Sequence, residues 1–136
     1  MKTQLTAEES AKLIELGVSP ERASEIKVEV KEPSRGCPNI YCSEVKRPIF
    51  TLADILDILP KEIEVDSPNA DKGIDIEDYY LCTQWCMNGD YADNHQWCAF
   101  YTPGFQLIGD CTAPELIDAL YSLLLWVIDH KHVKLG

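Results

Sequence analysis

Two runs decide the fold: DYYLCTQWCM at 78–87 and HQWCAFYT at 95–102, joined by NGDYADN at 88–94. Both are rich in aromatic residues, and the Asn, Asp and Gly between them break strands rather than extend them. Setting Met87 against His95 brings Trp85 opposite Trp97, Thr83 opposite Ala99 and Leu81 opposite Tyr101. That register creates a cross-strand aromatic pair, which stabilises an antiparallel hairpin. One face then carries Leu81, Trp85, Trp97 and Tyr101, and the other Cys82, Cys86, Cys98 and Phe100. A sheet wet on one side is polar on that side. The second face is therefore expected to be covered, by the N-terminal segment or by a second subunit.

Downstream, Pro103-Gly104 turns the chain into a third strand, FQLIGD at 105–110. Thr112 and Glu115 then read as a capping box opening a helix that runs to about His130. From Leu116 to Ile128 this helix is apolar nearly all round, so more than one side is expected to be buried. Leu120, Leu124 and Val127 lie at i, i+4 and i+7 and predict a stripe on the sheet side that carries Trp85 and Trp97. Tyr121, Leu125 and Trp126 are left to residues 51–59, the N-terminal pair of helices or a partner chain. His130 and His132 close the helix, where a cation complements the helix dipole.

Upstream, Ile63 and Val65 alternate with Glu62, Glu64 and Asp66 as a short strand, and Ile74 and Ile76 begin or flank another. Thr51 caps a helix with Asp54 in its first turn, Leu52, Ile55, Leu56 and Leu59 at helical spacing, and Pro60 as its stop. At the N-terminus, Thr6 and Glu9 form a capping box, Leu13, Ile14 and Leu16 an apolar face, and Gly17 the end. Ser19-Pro20 opens a second helix with Ala23 and Ile26 inward, and the alternation of Ile26, Val28 and Val30 suggests a short strand. The expected class is α+β: an antiparallel meander of three to four strands packed on a long C-terminal helix, with short N-terminal helices. The expected division is a helical hairpin and short strand at 1–32, a Cys/Pro-containing linker at 33–47 and an α+β core at 48–136.

The 136 residues carry 12 basic against 23 acidic side chains, a formal net charge of −11. Between Gly73 and His130 there is no Lys or Arg and there are nine Asp or Glu. Such a surface repels phosphates, so direct nucleic-acid binding is not expected. The start MKTQLTAEES predicts no signal peptide, and the longest apolar run, Leu123 to Ile128, is too short to span a bilayer. A cytoplasmic location with reduced thiols is expected for the six cysteines, Cys37, Cys42, Cys82, Cys86, Cys98 and Cys111. Cys37 and Cys42, with Cys82 and Cys86, are weak zinc candidates. In a strand, residues four apart stand roughly 13 Å apart on one face. Only a bulge or helical turn at Cys82–Cys86 would bring the two thiolates to one ion. No metal and no cofactor is expected.

Other chemistry is sparse. Leu16-Gly17-Val18-Ser19 resembles the turn of a helix-turn-helix, but the second helix would carry Glu21 and Glu25 against Arg22 alone. The acid-rich stretch 66–78 fails as a calcium loop. Counted from Asn69, Gly73 falls at position five and Tyr80 at twelve, where Gly is needed at six and Glu at twelve. Cys86 and His95 could pair as nucleophile and base, but nothing supplies the orienting third group. The aromatic cluster is the least ordinary feature, and its candidate ligand-binding residues are Tyr91, His95, Trp97 and Trp85.

The segments LTAEESAKLIELGVSPERAS at 5–24, PIFTLADILDILPKEI at 48–63 and PELIDALYSLLLWVIDH at 114–130 resemble uncharacterised small proteins of prophages and mobile elements of gut Bacteroidales. The resemblance implies a cytosolic protein from a phage-like locus and brings no catalytic residues. The expected function is non-enzymatic: an acidic protein that binds a protein partner or self-associates, without nucleic acid or membrane. The alternatives are an acidic decoy that mimics DNA toward a basic protein, a small-ligand site at the aromatic hairpin, and an enzyme acting through Cys86 or His95.

Overall fold

A computed structural model describes residues 1–31, 43–66, 76–87, 95–104 and 106–133. In chain order these form α1 (Ala7–Glu15), a 3-10 turn (Pro20–Arg22), β1 (Glu25–Lys31), β2 (Ser43–Ile49), α2 (Leu52–Ile58), β3 (Glu62–Asp66), β4 (Ile76–Met87), β5 (His95–Thr102), β6 (Ile108–Ala113) and α3 (Leu116–Asp129). Strands β3-β4-β5-β6 make an antiparallel meander, and β1 and β2 make a separate two-stranded ribbon. The class is α+β. The hairpin register is the one the aromatic pair requires, with Met87 on His95, Trp85 on Trp97, Thr83 on Ala99 and Leu81 on Tyr101.

Alternation along the strands turns Ile63, Tyr79, Ala99 and Tyr101 to one face of the meander. They join one core with Ile117, Leu120, Leu123, Leu124 and Val127 of α3, Ile55 of α2, and Phe50, Leu5, Leu13 and Val18. The N-terminal segment and the meander thus share a core. The Tyr101 hydroxyl, carried inside by its ring, donates to the Pro60 carbonyl at 2.7 Å, which satisfies a polar atom that burial would otherwise penalise. The predicted capping box of Thr6 with Glu9 forms, and Thr51, predicted to cap α2, does so and closes a box with Asp54 as well. The first residues are stitched to α2 by Leu5 N–H to Phe50 O and Leu52 N–H to Thr3 O, each 2.9 Å.

Four expectations fail for physical reasons. The second N-terminal helix is a single 3-10 turn, and Ile26, expected inward, is 62% exposed in β1. Asp54 takes the Ser24 N–H and hydroxyl, both at 2.8 Å, and this draws the chain out of helix toward the ribbon. Residues 43–47, expected as linker, are strand, paired with β1 from Lys31–Ser43 to Glu25–Ile49. Thr112 does not cap α3: it is in β6, opposite Cys98. The cap residue is Glu115, which makes no side-chain cap bond and instead accepts the Lys2 backbone N–H at 3.1 Å.

The fourth concerns the rotation of α3. Leu120, Leu124 and Val127 are buried as expected. Trp126, assigned to the opposite side, instead lies over the sheet, its ring 6.5 Å from Tyr101 and against Gly109. Trp85, expected beneath the helix, is half exposed. On the other sheet face Phe100 is buried, Cys82 and Cys98 are half-buried and Tyr80 is exposed.

Candidate interaction surface

The register of β3 on β4 sets Glu62 opposite Tyr80 and Glu64 opposite Asp78. In EIEVD the period of two sends Ile63 and Val65 inward and Glu62 and Glu64 outward. Glu62, Glu64, Asp78 and Tyr80 are all exposed. Like charges directly opposite one another weaken a ladder, so Glu64 and Asp78 are a local cost of the fold. The four strands of the meander contain Glu62, Glu64, Asp66, Glu77, Asp78 and Asp110, and no Lys or Arg. Lys61, next to β3, donates to the Leu56 carbonyl. Strand alternation along 62–66 marks Glu62 and Glu64 in the sequence, but only the β3–β4 register sets them beside Asp78 and Tyr80.

The sequence-derived site residues are only partly assembled. Trp85 and Trp97 meet with ring centroids 5.2 Å apart at 58°, Trp85 half exposed and Trp97 packed partly against the core. His95 is the first residue of β5, paired with Met87; its side chain, like that of Cys86, lies outside the described residues, as do Tyr91, Cys37, Cys42 and the calcium-like turn at 67–75. Ladder pairing of β4 is unbroken from Tyr80 to Met87. Cys82 and Cys86 therefore hold the extended spacing of roughly 13 Å, and neither bulge nor helical turn brings them to one ion. Among the described residues no group of three or more His, Cys, Asp or Glu could hold a metal. Burial, aided by the Asp110 charge, pushes the Cys111 thiol up, and its Sγ–H donates to the Gly109 carbonyl at 3.1 Å.

At the end of α3 the His130 Nδ1 lies 2.9 Å from the Trp126 carbonyl, and the rings stack. Trp126 lies 4.4 Å from His130 and 5.4 Å from His132, near-parallel to both. Burial, then the charge of His130, lowers the His132 pKa. A cleft of about 550 Å³ lies elsewhere, between Gln4–Glu8, Glu25–Lys27 and Ile49. Among the described residues no helix is long and apolar enough to cross a membrane. No protein-family model matches this chain, and no curated protein or solved structure resembles it significantly.

Proposed function

We propose that this protein is a non-enzymatic cytoplasmic binding protein whose partner is a basic protein surface, received on the outer face of β3 and β4. The observation that carries this reading is the exposed set Glu62, Glu64, Asp78 and Tyr80 on a meander whose strands contain no Lys or Arg. A partner's Lys or Arg would relieve the Glu64–Asp78 opposition, and Tyr80 offers an aromatic face on which a guanidinium can stack. Complementary charge also raises encounter rates and selects against acidic partners. The rigid sheet beneath, anchored by buried Ile63 and Tyr79, holds the carboxylates in place before binding.

An arginine-rich peptide titrated into the labelled protein and followed by NMR tests the proposal. Amide shifts should concentrate at residues 62–65 and 77–80, and Glu64→Lys should weaken binding at least tenfold. Shifts spread evenly over all acidic surface, or affinity unchanged by Glu64→Lys, would overturn it.

A further inference from the structure

We infer that the outer edge of β1 is a self-association edge, on which a second copy of this chain adds its own β1 antiparallel, centred on Val28. Among the described residues the only strand that pairs with β1 is β2, and the N-terminal bridge of Gln4 goes to Thr51 rather than to β1. Its other edge therefore offers a row of backbone donors and acceptors, the arrangement on which another strand adds. Ile26 and Val28 stand 62% and 51% exposed along it.

The sequence of β1, EIKVEVK, names the occupant. Paired antiparallel with itself about Val28, it sets Glu25 opposite Lys31, Ile26 opposite Val30, Lys27 opposite Glu29 and Val28 opposite its own copy. Every position meets either an opposite charge or an apolar residue, the pairings that stabilise a ladder. Neighbouring registers fail. Sliding by two residues one way sets Lys27 against Lys31 and Glu29 against itself; sliding the other way sets Glu25 against Glu29 and Lys27 against itself. Parallel in-register pairing opposes like charges throughout. Odd shifts put apolar residues against charged ones. One arrangement is selected, and it is two-fold symmetric, as closed homodimers are. The result is a four-stranded sheet, β2-β1-β1-β2, spanning two copies. With seven residues per strand the contact is short, about 24 Å. The area covered falls in the class of weak, concentration-dependent dimers.

This surface is separate from β3 and β4, so its test is independent of the binding proposal. Sedimentation velocity of the intact chain should show a monomer at low micromolar concentration that shifts toward a dimer as the concentration rises a hundredfold. Glu25→Lys with Glu29→Lys makes an all-lysine strand, and Lys27→Glu with Lys31→Glu an all-glutamate one. Each should weaken self-association at least tenfold, and an equimolar mixture should restore a dimer containing one of each. The mixture also shows that both variants fold. Wild-type chain that stays monomeric throughout, either variant dimerising as wild type does, or a mixture that stays monomeric would overturn the proposal.

Discussion

Gly109 and Trp126 are in direct contact across the β6–α3 interface: a methyl group on Gly109 would sit 2.8 Å from two ring carbons of the indole. Gly109 also has φ of +66°, a left-handed conformation that side chains resist. One glycine thus lets the helix approach the sheet and lets the strand turn beneath it. Gly109→Ala should destabilise by about 1–2 kcal/mol through the backbone and by about 1–3 kcal/mol more through overpacking. Urea denaturation checks this. In a Trp126→Leu background, where the indole is absent, the second part of the loss should largely disappear.

The rotation of α3 predicts an asymmetry between adjacent leucines. Leu124 is fully buried, whereas Leu125 is half-buried. Leu124→Ala should cost about 2–5 kcal/mol, and Leu125→Ala distinctly less. Equal losses in chemical denaturation would mean that α3 is turned differently about its axis.

Acid should loosen the link between the N-terminal segment and α2. Burial works to raise the Asp54 pKa, but bonds from the Thr51 and Ser24 backbone N–H groups and from both hydroxyls outweigh it, and the net shift is downward. A carboxylate lowered in the folded state adds stability above its ordinary value of 3.8, and that stability is lost as pH falls through the folded value. Glu9 behaves alike: burial raises its pKa, but the Thr6 N–H and Lys2 bring it down overall. Asp54→Asn should therefore lower stability at pH 7 and flatten its decline below pH of about 4. Thermal unfolding across pH 2.5–7 measures both effects.

A separate step belongs to His132. Its folded pKa is below the ordinary 6.5, so the folded chain favours the neutral ring. The stability this provides is present above 6.5 and is lost as pH falls through the depressed value. His132→Phe keeps a ring against Trp126 and removes the titration. Wild type should lose melting temperature between pH 7 and 5 by more than this variant does.

Glu64→Lys, which should impair binding of a basic partner, should also stabilise the free protein. It turns a like-charge pair with Asp78 into an opposite-charge one, an effect of about 0.2–1 kcal/mol. Thermal denaturation of the unliganded variant gives the sign. A binding loss accompanied by a stability gain separates a functional carboxylate from a structural one.

The local elements and one hairpin pairing were legible along the chain. The Thr6–Glu9 box and the Thr51 cap were legible because a helix cap is closed within four residues. The Trp85–Trp97 register was legible because hairpin partners are near in sequence and a shift of one residue would reverse both faces. Tertiary structure decided what depended on distant competition. Thr112 has the chemistry of a cap, but its backbone joins the ladder with Cys98. Residues 19–26 could have continued as helix, but Asp54, thirty residues on, captures Ser24. Trp126 faces the sheet because Gly109 leaves room for it, and apolar periodicity cannot register room on a neighbouring strand when nearly every position of the helix is apolar. The candidate site divides in the same way. Composition determined that the second half of the chain is without Lys or Arg from Gly73 to His130. Only the pairing of β3 with β4 brought Glu64 against Asp78, because which carboxylates share a surface is set by register rather than by order along the chain.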